Sequence, residues 1–541
     1  MPAGPGSQPV DSLAQGGVLR RASSDTIVAP ATPPGVGAIG VVRLSGPDAI
    51  RIARSVFRPS SGTFPSREDT HRLVHGHIVD SAGEIVDEVM LAAMWSPRTF
   101  TREDTVEIDC HGGYATQRAV TRAVLAAGAR AAEPGEFTRR AFLNGRIDLT
   151  QAEAVLAAVR AQSSLALRAA VRQLDGGLAR RLKALRGVLL GVLAQLEVQI
   201  DFADEDPGDL DRDQATHAIE GVRLDLERLL TTAFVGRILD QGMRVAIVGR
   251  PNVGKSSLLN ALAMRERAIV SDIPGTTRDT IEETIEIAGL PVCLVDTAGL
   301  RDSWDSVEKE GVERTRAALA TADVVLAVLD LSMGADEYPR RSEPVRAGAY
   351  QPEGTAQGLG CTPAVGDLGG SMRLGDLELD PARLIVVGNK VDLVVSIPVG
   401  TPGTAFQVAA EGSGVAELLG RACRQEGLTQ ERLGGGWRSL PISAKEGLGI
   451  DELRQEIGAL VMGHGAVSWD EPLLATERQR GLVEQAAGFA GQAGVALAAG
   501  APEDIVAEDV RATVVCLGQI TGEDLVEDLL DEVFSRFCIG K

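Results

Sequence analysis

Gly249-Arg-Pro-Asn-Val-Gly254-Lys255-Ser256 stands directly after the apolar run Arg244–Val248 and directly before a helical run, Ser257–Ala263. The spacing G-x-x-x-x-G-K-[ST], after a strand and at the start of a helix, is that of a phosphate-binding loop. Backbone N–H groups of such a loop, with a helix N-terminus behind them, make an anion site. Asn252, Val253, Gly254, Lys255, Ser256 and Ser257 are therefore the candidate phosphate contacts. Lys255 has the reach for the β- and γ-phosphates, and the Ser256 hydroxyl is placed to ligate Mg²⁺.

Three shorter motifs follow, each after an apolar run. Asp296-Thr-Ala-Gly299 closes Val292–Val295. An acid there can hold Mg²⁺ through water, and the Gly299 N–H can meet a γ-phosphate. Asn389-Lys390-Val391-Asp392 follows Leu384–Val387. The Asp392 carboxylate can accept two N–H groups of a guanine, a pair that adenine does not offer, and an unmatched acceptor disfavours the wrong base. Ser443-Ala444-Lys445 stands where a second base-contacting loop belongs. With Val324–Leu329, these runs alternate with helices from 243 to about 463, the pattern of a parallel sheet with helices on both faces. Two stretches interrupt it. Residues 331–381 carry 9 Gly and 5 Pro in 51 positions, near low-complexity composition. Asp296 and Asn389 lie 93 positions apart, of which 42 remain without that stretch, so it reads as a surface loop. Residues 396–437 read as a second insert. Leu300 follows Gly299 where Ras-like GTPases carry a water-orienting Gln, so hydrolysis must use other groups. Asn252 has two readings, a ligand for a monovalent cation beside the phosphates or a residue that only shapes the loop.

Helical sequence flanks this unit. Leu149, Ala152, Val155, Leu156 and Val159, then Leu178, Leu182, Leu185, Leu189, Leu193, Leu196 and Ile200, recur at helical spacing, with Thr150…Glu153 as a capping box and Gly176-Gly177 as a break. The acidic loop Asp201–Asp211 departs from a calcium loop at Gly208 and reads as a linker. After Asp470, Thr476-Glu-Arg-Gln479 caps a further helix, and Glu503–Phe537 is periodic again. Short β-type runs and Gly/Pro turns from Asp25 to Gly145 indicate an α+β domain. The fold class is thus α/β plus all-α. Residues 1–24 form a disordered tail, 25–145 an N-terminal domain, 146–237 and 464–541 two parts of a helical domain, and 238–463 an inserted α/β domain.

Composition narrows the function. The 541 residues fit three or four domains at about 150 residues each. A net charge of −21 argues against gripping nucleic acid by bulk charge, and 3% aromatics against a base-stacking platform. Six scattered cysteines without a C-x-x-C pair indicate neither a disulfide framework nor a zinc module, and fit a reducing compartment. No run approaches the roughly 18 apolar residues that span a bilayer. A cytoplasmic chain without a membrane anchor is expected.

Further motifs carry a resemblance. Gly275-Thr276-Thr277-Arg278-Asp279, Asp296–Leu300, Ala31-Thr32-Pro33-Pro34-Gly35, the run Pro134–Gly145 and the ending Phe537-Cys538-Ile539-Gly540-Lys541 together resemble the MnmE (TrmE) family of tRNA-modification GTPases, over about Asp25 to Lys541 outside the two inserts. The resemblance implies an N-terminal tetrahydrofolate-binding and dimerisation domain, a discontinuous helical domain and an inserted Ras-like P-loop GTPase domain. It implies a homodimer that joins an FAD-dependent MnmG-type partner in a heterotetramer or larger complex. That complex adds an aminomethyl or carboxymethylaminomethyl group to the wobble uridine of certain tRNAs, with a one-carbon unit from methylene-tetrahydrofolate. It also implies K⁺-stimulated GTP hydrolysis when two G domains meet. By position, Asn252, Ser271, Ile273 (through its carbonyl) and Thr276 become K⁺ ligands, Thr277 joins Ser256 on Mg²⁺, and Ser271, Thr276 and Thr277 join the GTP contacts. Glu308 takes the role of orienting the attacking water, through a second water. The folate site (for a 5-formyl or methylene form) maps to Arg43, Glu107, Arg146 and Lys541, with Arg146 in place of the family's lysine, and Cys538 matches a cysteine beside it.

Two rival readings remain open. A ribosome-assembly GTPase shares the phosphate loop and the Gly-Thr-Thr-Arg-Asp run, but calls for a basic RNA-binding module that the sequence does not display. A non-catalytic, folate- and nucleotide-responsive scaffold is the other. Under the MnmE resemblance the acidic balance fits a chain whose tRNA contact lies largely in its partner. A local basic surface is then expected at Arg168, Arg172, Arg180, Arg181, Lys183 and Arg186, against an acidic end with 10 acidic and 3 basic residues from Glu503 to Lys541.

Overall fold

Strand alternation and helical stripes sort the chain into two sheets and a helical bundle. The computed structural model describes residues 25–60, 62–201, 211–264, 282–296, 318–333, 374, 379–394, 414–429, 437–462, 471–523 and 527–540. It divides into two compact units, residues 1–160, 168–233 and 469–541 in one, 161–167 and 234–468 in the other. Elements are numbered along the chain, and α5 (Ser164–Leu174) and α8 (Ala233–Gln241) take their places in that count.

The first unit opens with seven strands, β1 (Ile27–Pro30), β2 (Ile39–Ser45), β3 (Phe57–Pro59), β4 (Leu73–Val79), β5 (Ile85–Met94), β6 (Thr105–His111) and β7 (Arg130–Ala131), in the order β3-β4-β5-β6-β2-β1-β7. Period-two alternation turns Val42 and Leu44 of β2 and Val106 and Ile108 of β6 inward, where α1 (Ala49–Val56) and α2 (Tyr114–Ala126) bury Ile52, Val56, Val120 and Val124. The same alternation leaves Arg43 and Glu107 directly opposite each other across the β2–β6 pair.

Helices α3 (Glu136–Leu143) and α4 (Leu149–Arg160) lead into the bundle. It is built from α6 (Gly177–Asp201) and α7 (Arg212–Thr231) before the second unit, and α12 (Glu477–Ala498) and α13 (Glu503–Thr521) after it. Leu178, Leu182, Leu189, Leu196, Ile219, Leu226, Val483, Val510 and Leu517 share its core, while Ile200, the last member of the expected stripe, is 39% exposed. The cap of α4 differs from the expected Thr150…Glu153 box. Asp148 Oδ1 accepts the Gln151 N–H at 3.0 Å and the Asp148 N–H donates to Gln151 Oε1 at 3.0 Å, so the reciprocal cap sits two residues earlier. Glu153 is committed elsewhere, taking Arg478 at 2.8 and 2.9 Å and Gln479 Nε2 at 2.6 Å, and so ties α4 to the start of α12. The last helix, α14 (Glu527–Ser535), returns Phe534 and Phe537 to a cluster with Phe142 and Leu149. The N-terminal segment thus keeps its own core between sheet and helices, while its last helix, α3, joins α4 and α14 through Phe142.

In the second unit β8 (Met243–Val248), β9 (Glu282–Ile287), β10 (Leu290–Asp296), β11 (Val324–Asp330), β12 (Leu384–Asn389) and β13 (Arg438–Pro441) form a sheet in the order β13-β12-β11-β8-β10-β9, in which β9 alone runs antiparallel to its neighbour. The expected runs fall on β8, β10, β11 and β12. Helix α9 (Lys255–Met264) follows β8, and α11 (Ile450–Met462) follows β13. One expectation is corrected. Inside the stretch 396–437, α10 (Val415–Gln425) turns Val415, Leu419, Ala422 and Cys423 into the sheet core, so this part is a core element, its apolar spacing hidden between Gly-rich flanks. Leu331, Leu374 and Leu379, at the two ends of the 331–381 stretch, are buried in the same core. Among the described residues no helix is long and apolar enough to cross a membrane.

Candidate functional site

Strand β8 lies between β10 and β11 and parallel to both, so the crevice beyond its C-terminal end is the switch point where such sheets bind ligands. The loop 249–254 fills that position. Gly249 is required there, since a Cβ would meet the Val328 carbonyl oxygen at 2.5 Å. Asn252 is exposed and left-handed (φ 65), a conformation asparagine tolerates better than most residues. Val253 is buried, while Ser256 and Ser257 are exposed on the first turn of α9. Lys255 Nζ donates to the Gly249 and Arg250 carbonyls, each at 2.7 Å, which holds the ammonium under the loop.

Asn389 ties three of the motifs together. Its Nδ2 donates to the Val253 carbonyl at 2.8 Å, and its Oδ1 accepts the Ala444 N–H at 3.0 Å. The side chain is 3% exposed, so the phosphate loop, the Asn389–Asp392 turn and the Ser443–Lys445 loop are joined through one buried amide. Approach is so close at Gly254 (φ 99) that a Cβ would lie 2.2 Å from Asn389 Nδ2. Lys390 (φ 65) reaches back to the buried Asp330 at 2.5 Å. Asp392 is half-buried, Ser443 and Ala444 are buried, and Lys445 is exposed beside Glu446 at 3.4 Å.

Sequence reasoning passed over a second support of the loop. Arg250 Nε pairs with Glu426 at 2.5 Å, and that carboxylate, 1% exposed, also accepts the Leu374 N–H at 3.2 Å. No motif marks Glu426. The signal was only an acid at the end of an amphipathic helix. Asp296 closes β10, and its side chain, with Ser271, Ile273, Thr276, Thr277, Gly299, Glu308 and Lys541, lies outside the described residues.

The first unit gathers a second constellation. Arg43 pairs with Glu107 at 2.8 Å across the sheet and lies over the rings of Phe100 (5.3 Å) and Phe137 (5.9 Å). Arg146 stacks on Phe100 at 4.8 Å and donates to its carbonyl at 3.0 Å. Phe100 thus brings Arg43 and Arg146 to one ring, with Glu107 held by Arg43, although no motif announced it. The chain end docks beside them, since a Cβ on Gly540 (φ 94) would lie 2.1 Å from the Pro30 carbonyl oxygen. Cys538 is exposed, and its carbonyl accepts the Gly135 N–H at 3.4 Å. Beneath lies an ion network in which Arg140 meets Asp25 (2.8 Å), Glu136 (2.9 Å) and Glu103 (3.2 Å), and Arg130 meets Glu136 (2.7 Å) and Asp25 (2.6 Å). Burial alone would raise the Asp25 and Glu136 carboxyls, but their arginine hydrogen bonds outweigh it and hold both below the usual range. Burial pushes the Cys110 thiol up to about 11, that of a packed and unreactive group.

Three of the six residues of the expected basic surface are ion-paired, while Arg168, Arg172 and Arg180 are exposed. Arg181 pairs with Asp225 at 2.8 Å, and Lys183 and Arg186 both pair with Glu523, at 3.2 and 2.8 Å.

Comparison with known proteins matches the chain to two family descriptions. The family described as MnmE helical domain matches residues 149–538, and that described as GTP-binding protein TrmE N-terminus matches 26–146. The tRNA modification GTPase MnmE of Moorella thermoacetica is 43% identical over 522 residues, covering 96% of this chain and 99% of its own length. That of Chloroflexus aurantiacus is 43% identical over 523 residues (96% and 100%), and that of Lactobacillus delbrueckii subsp. bulgaricus 40% over 525 (97% and 100%). Among solved structures, the G domain of the T. maritima FeoB iron transporter is 21% identical, with a TM-score of 0.22, covering 40% of this chain and 98% of that one. From the helical-domain match and near-full-length relatives, the chain belongs to the MnmE family of tRNA modification GTPases.

Proposed function

We propose that the chain hydrolyses GTP in a G domain inserted between the halves of a helical domain, and couples hydrolysis to modification of the wobble uridine of certain tRNAs. The one-carbon unit comes from a tetrahydrofolate held at the Phe100 site, and a flavin-dependent partner supplies the redox chemistry and most of the tRNA contact. The observation that carries this reading is the presence, in one chain, of two built sites of different chemistry. A guanine-nucleotide cradle is braced by Asn389, and a cross-strand Arg43–Glu107 pair faces an aromatic ring. The paired carboxylate and guanidinium suit a heterocycle that offers both donors and acceptors, and Phe100 suits its face. The first unit is the part through which two copies would associate, in the cytoplasm.

For the ions, the exposed Ser256 hydroxyl is a hard oxygen donor of the kind Mg²⁺ takes, with Thr277 as its companion. Asn252 offers an amide oxygen at the crest of the loop, suited to K⁺, with Ser271, the Ile273 carbonyl and Thr276 completing the set. A K⁺ ion there would add positive charge beside the phosphates. Lys255 and the loop amides bind and orient the phosphates, Asp392 selects guanine, and Glu308 stands in for the glutamine that Leu300 replaces in orienting water. Analysis of wobble nucleosides in a strain lacking the gene tests the reading. Loss of the (carboxymethyl)aminomethyl groups is expected, and their persistence with a ribosome-assembly defect would overturn it.

A further inference from the structure

Arg102 holds a left-handed backbone, φ 58. That region excludes most side chains and is normally left to glycine or asparagine. A non-glycine residue kept there against its local preference points to a task for its side chain. Charge balance is not that task, because among the described residues Arg102 forms no ion pair. Its guanidinium donates to the Asn144 carbonyl at 3.0 Å and lies 3.5 Å from where Gly145 would carry a Cβ. This sets it beside Arg146, which also forms no ion pair among the described residues and stacks on Phe100 at 4.8 Å. Burial, and the neighbouring charge of Arg102, hold Arg146 below the ordinary arginine range. Arg43 lies on the same ring but is neutralised by Glu107. The site therefore runs from a compensated end at Arg43–Glu107 to a doubly cationic, uncompensated end at Arg146 and Arg102.

We propose that Arg102 and Arg146 form a subsite for the γ-linked glutamyl carboxylates of a folate tail, so that this chain selects polyglutamylated over monoglutamyl folate. The inference rests on the folate reading of the Arg43–Glu107 site. A monoglutamyl tail satisfies Arg146, and each added γ-glutamyl unit brings a further carboxylate within the field of Arg102. Planar guanidinia match carboxylates by paired N–H donors, which favours this ligand over a point-charge contact.

The test is titration of the full-length protein with 5-formyltetrahydrofolate as monoglutamate and as triglutamate, at low ionic strength. The wild type is expected to bind the triglutamate about tenfold more tightly, with an advantage that shrinks as salt screens exposed charge. Arg102→Gly should remove most of that advantage and change monoglutamate affinity by about twofold or less, and Arg102→Lys should restore part of it. Because glycine relieves the left-handed backbone, the melting temperature of Arg102→Gly should hold or rise, which separates lost selectivity from lost folding. Equal wild-type affinity for the two forms overturns the subsite alone. So does equal weakening of both forms in Arg102→Gly, or weakened tRNA retention with unchanged folate discrimination. Failure of either form to bind overturns the folate reading and this inference with it.

Discussion

The nucleotide cradle and the Phe100 site both suit anionic small molecules, and they are built in opposite ways. The cradle is made of main chain. Its amides and turns hang on the ends of β8, β12 and β13, and one buried amide, Asn389, locks the turns to each other. The Phe100 site is made of side chains brought from β2, β6, the loop before β6 and the turn after α3. A main-chain site needs particular residues at fixed short spacing, because glycine and a few polar side chains alone permit the turn. A side-chain site needs only that the fold deliver the right groups, from any distance along the chain.

Four measurements put that contrast at risk. Asp392→Asn removes the acceptor for guanine and should weaken GTP binding by about 10²-fold while raising affinity for xanthosine nucleotides. Unchanged GTP affinity would remove the base-reading role. Asn389→Ala leaves the buried Ala444 N–H without its acceptor and frees the phosphate loop. It should destabilise the second unit by about 2–3 kcal/mol and weaken both GTP and GDP by at least about tenfold. A fall in base selectivity alone, with the unfolding transition unmoved, would deny Asn389 its bracing role. Arg43→Met should lower affinity for reduced folates by about tenfold and leave intrinsic GTP hydrolysis as it is, since one charge-assisted contact is lost. Equal loss in both assays would mean the two sites are not separable. The smallest effect concerns acid. The Asp25 and Glu136 carboxyls are held below their ordinary values of 3.8 and 4.5, so their contribution is complete above about pH 4.5 and falls as pH drops towards their folded values. Asp25 is partly exposed, so the two together should cost about 1 kcal/mol at pH 3, and Glu136→Gln should flatten the curve. A first-unit stability that rises from pH 5 to pH 3 would contradict the network.

The same contrast explains what the sequence disclosed. The phosphate loop was legible with its strand and helix because Gly249, Gly254 and Lys255 have no other economical use at that spacing. Asn389 was read as part of a base-contacting turn, but its larger structural task, holding Val253 and Ala444, is set by strand order and carries no local signature. Arg43, Glu107 and Arg146 came from resemblance alone, and Phe100 and Arg102 were missed because neither stacking nor φ is written in a pattern. The ion pairs that thin the expected basic surface were illegible for a similar reason. Asp225 and Glu523, remote in sequence from Arg181, Lys183 and Arg186, pair with them in space. At Thr150, the reciprocal Asp148–Gln151 bonds prevailed because Glu153 was claimed by Arg478.

The contact between Leu374 and Glu426 bears on how the chain can be shortened. The Gly/Pro-rich stretch looks removable from composition, yet Leu374 sits in the sheet core and its N–H satisfies a carboxylate that also grips the phosphate loop through Arg250. A deletion that stops before Leu374 keeps that fastening. One that takes Leu374 with it strips a donor from the buried carboxylate that holds Arg250 of the phosphate loop, and a trimmed protein of that kind would report weakened GTP binding that belongs to the surgery and not to the missing loop.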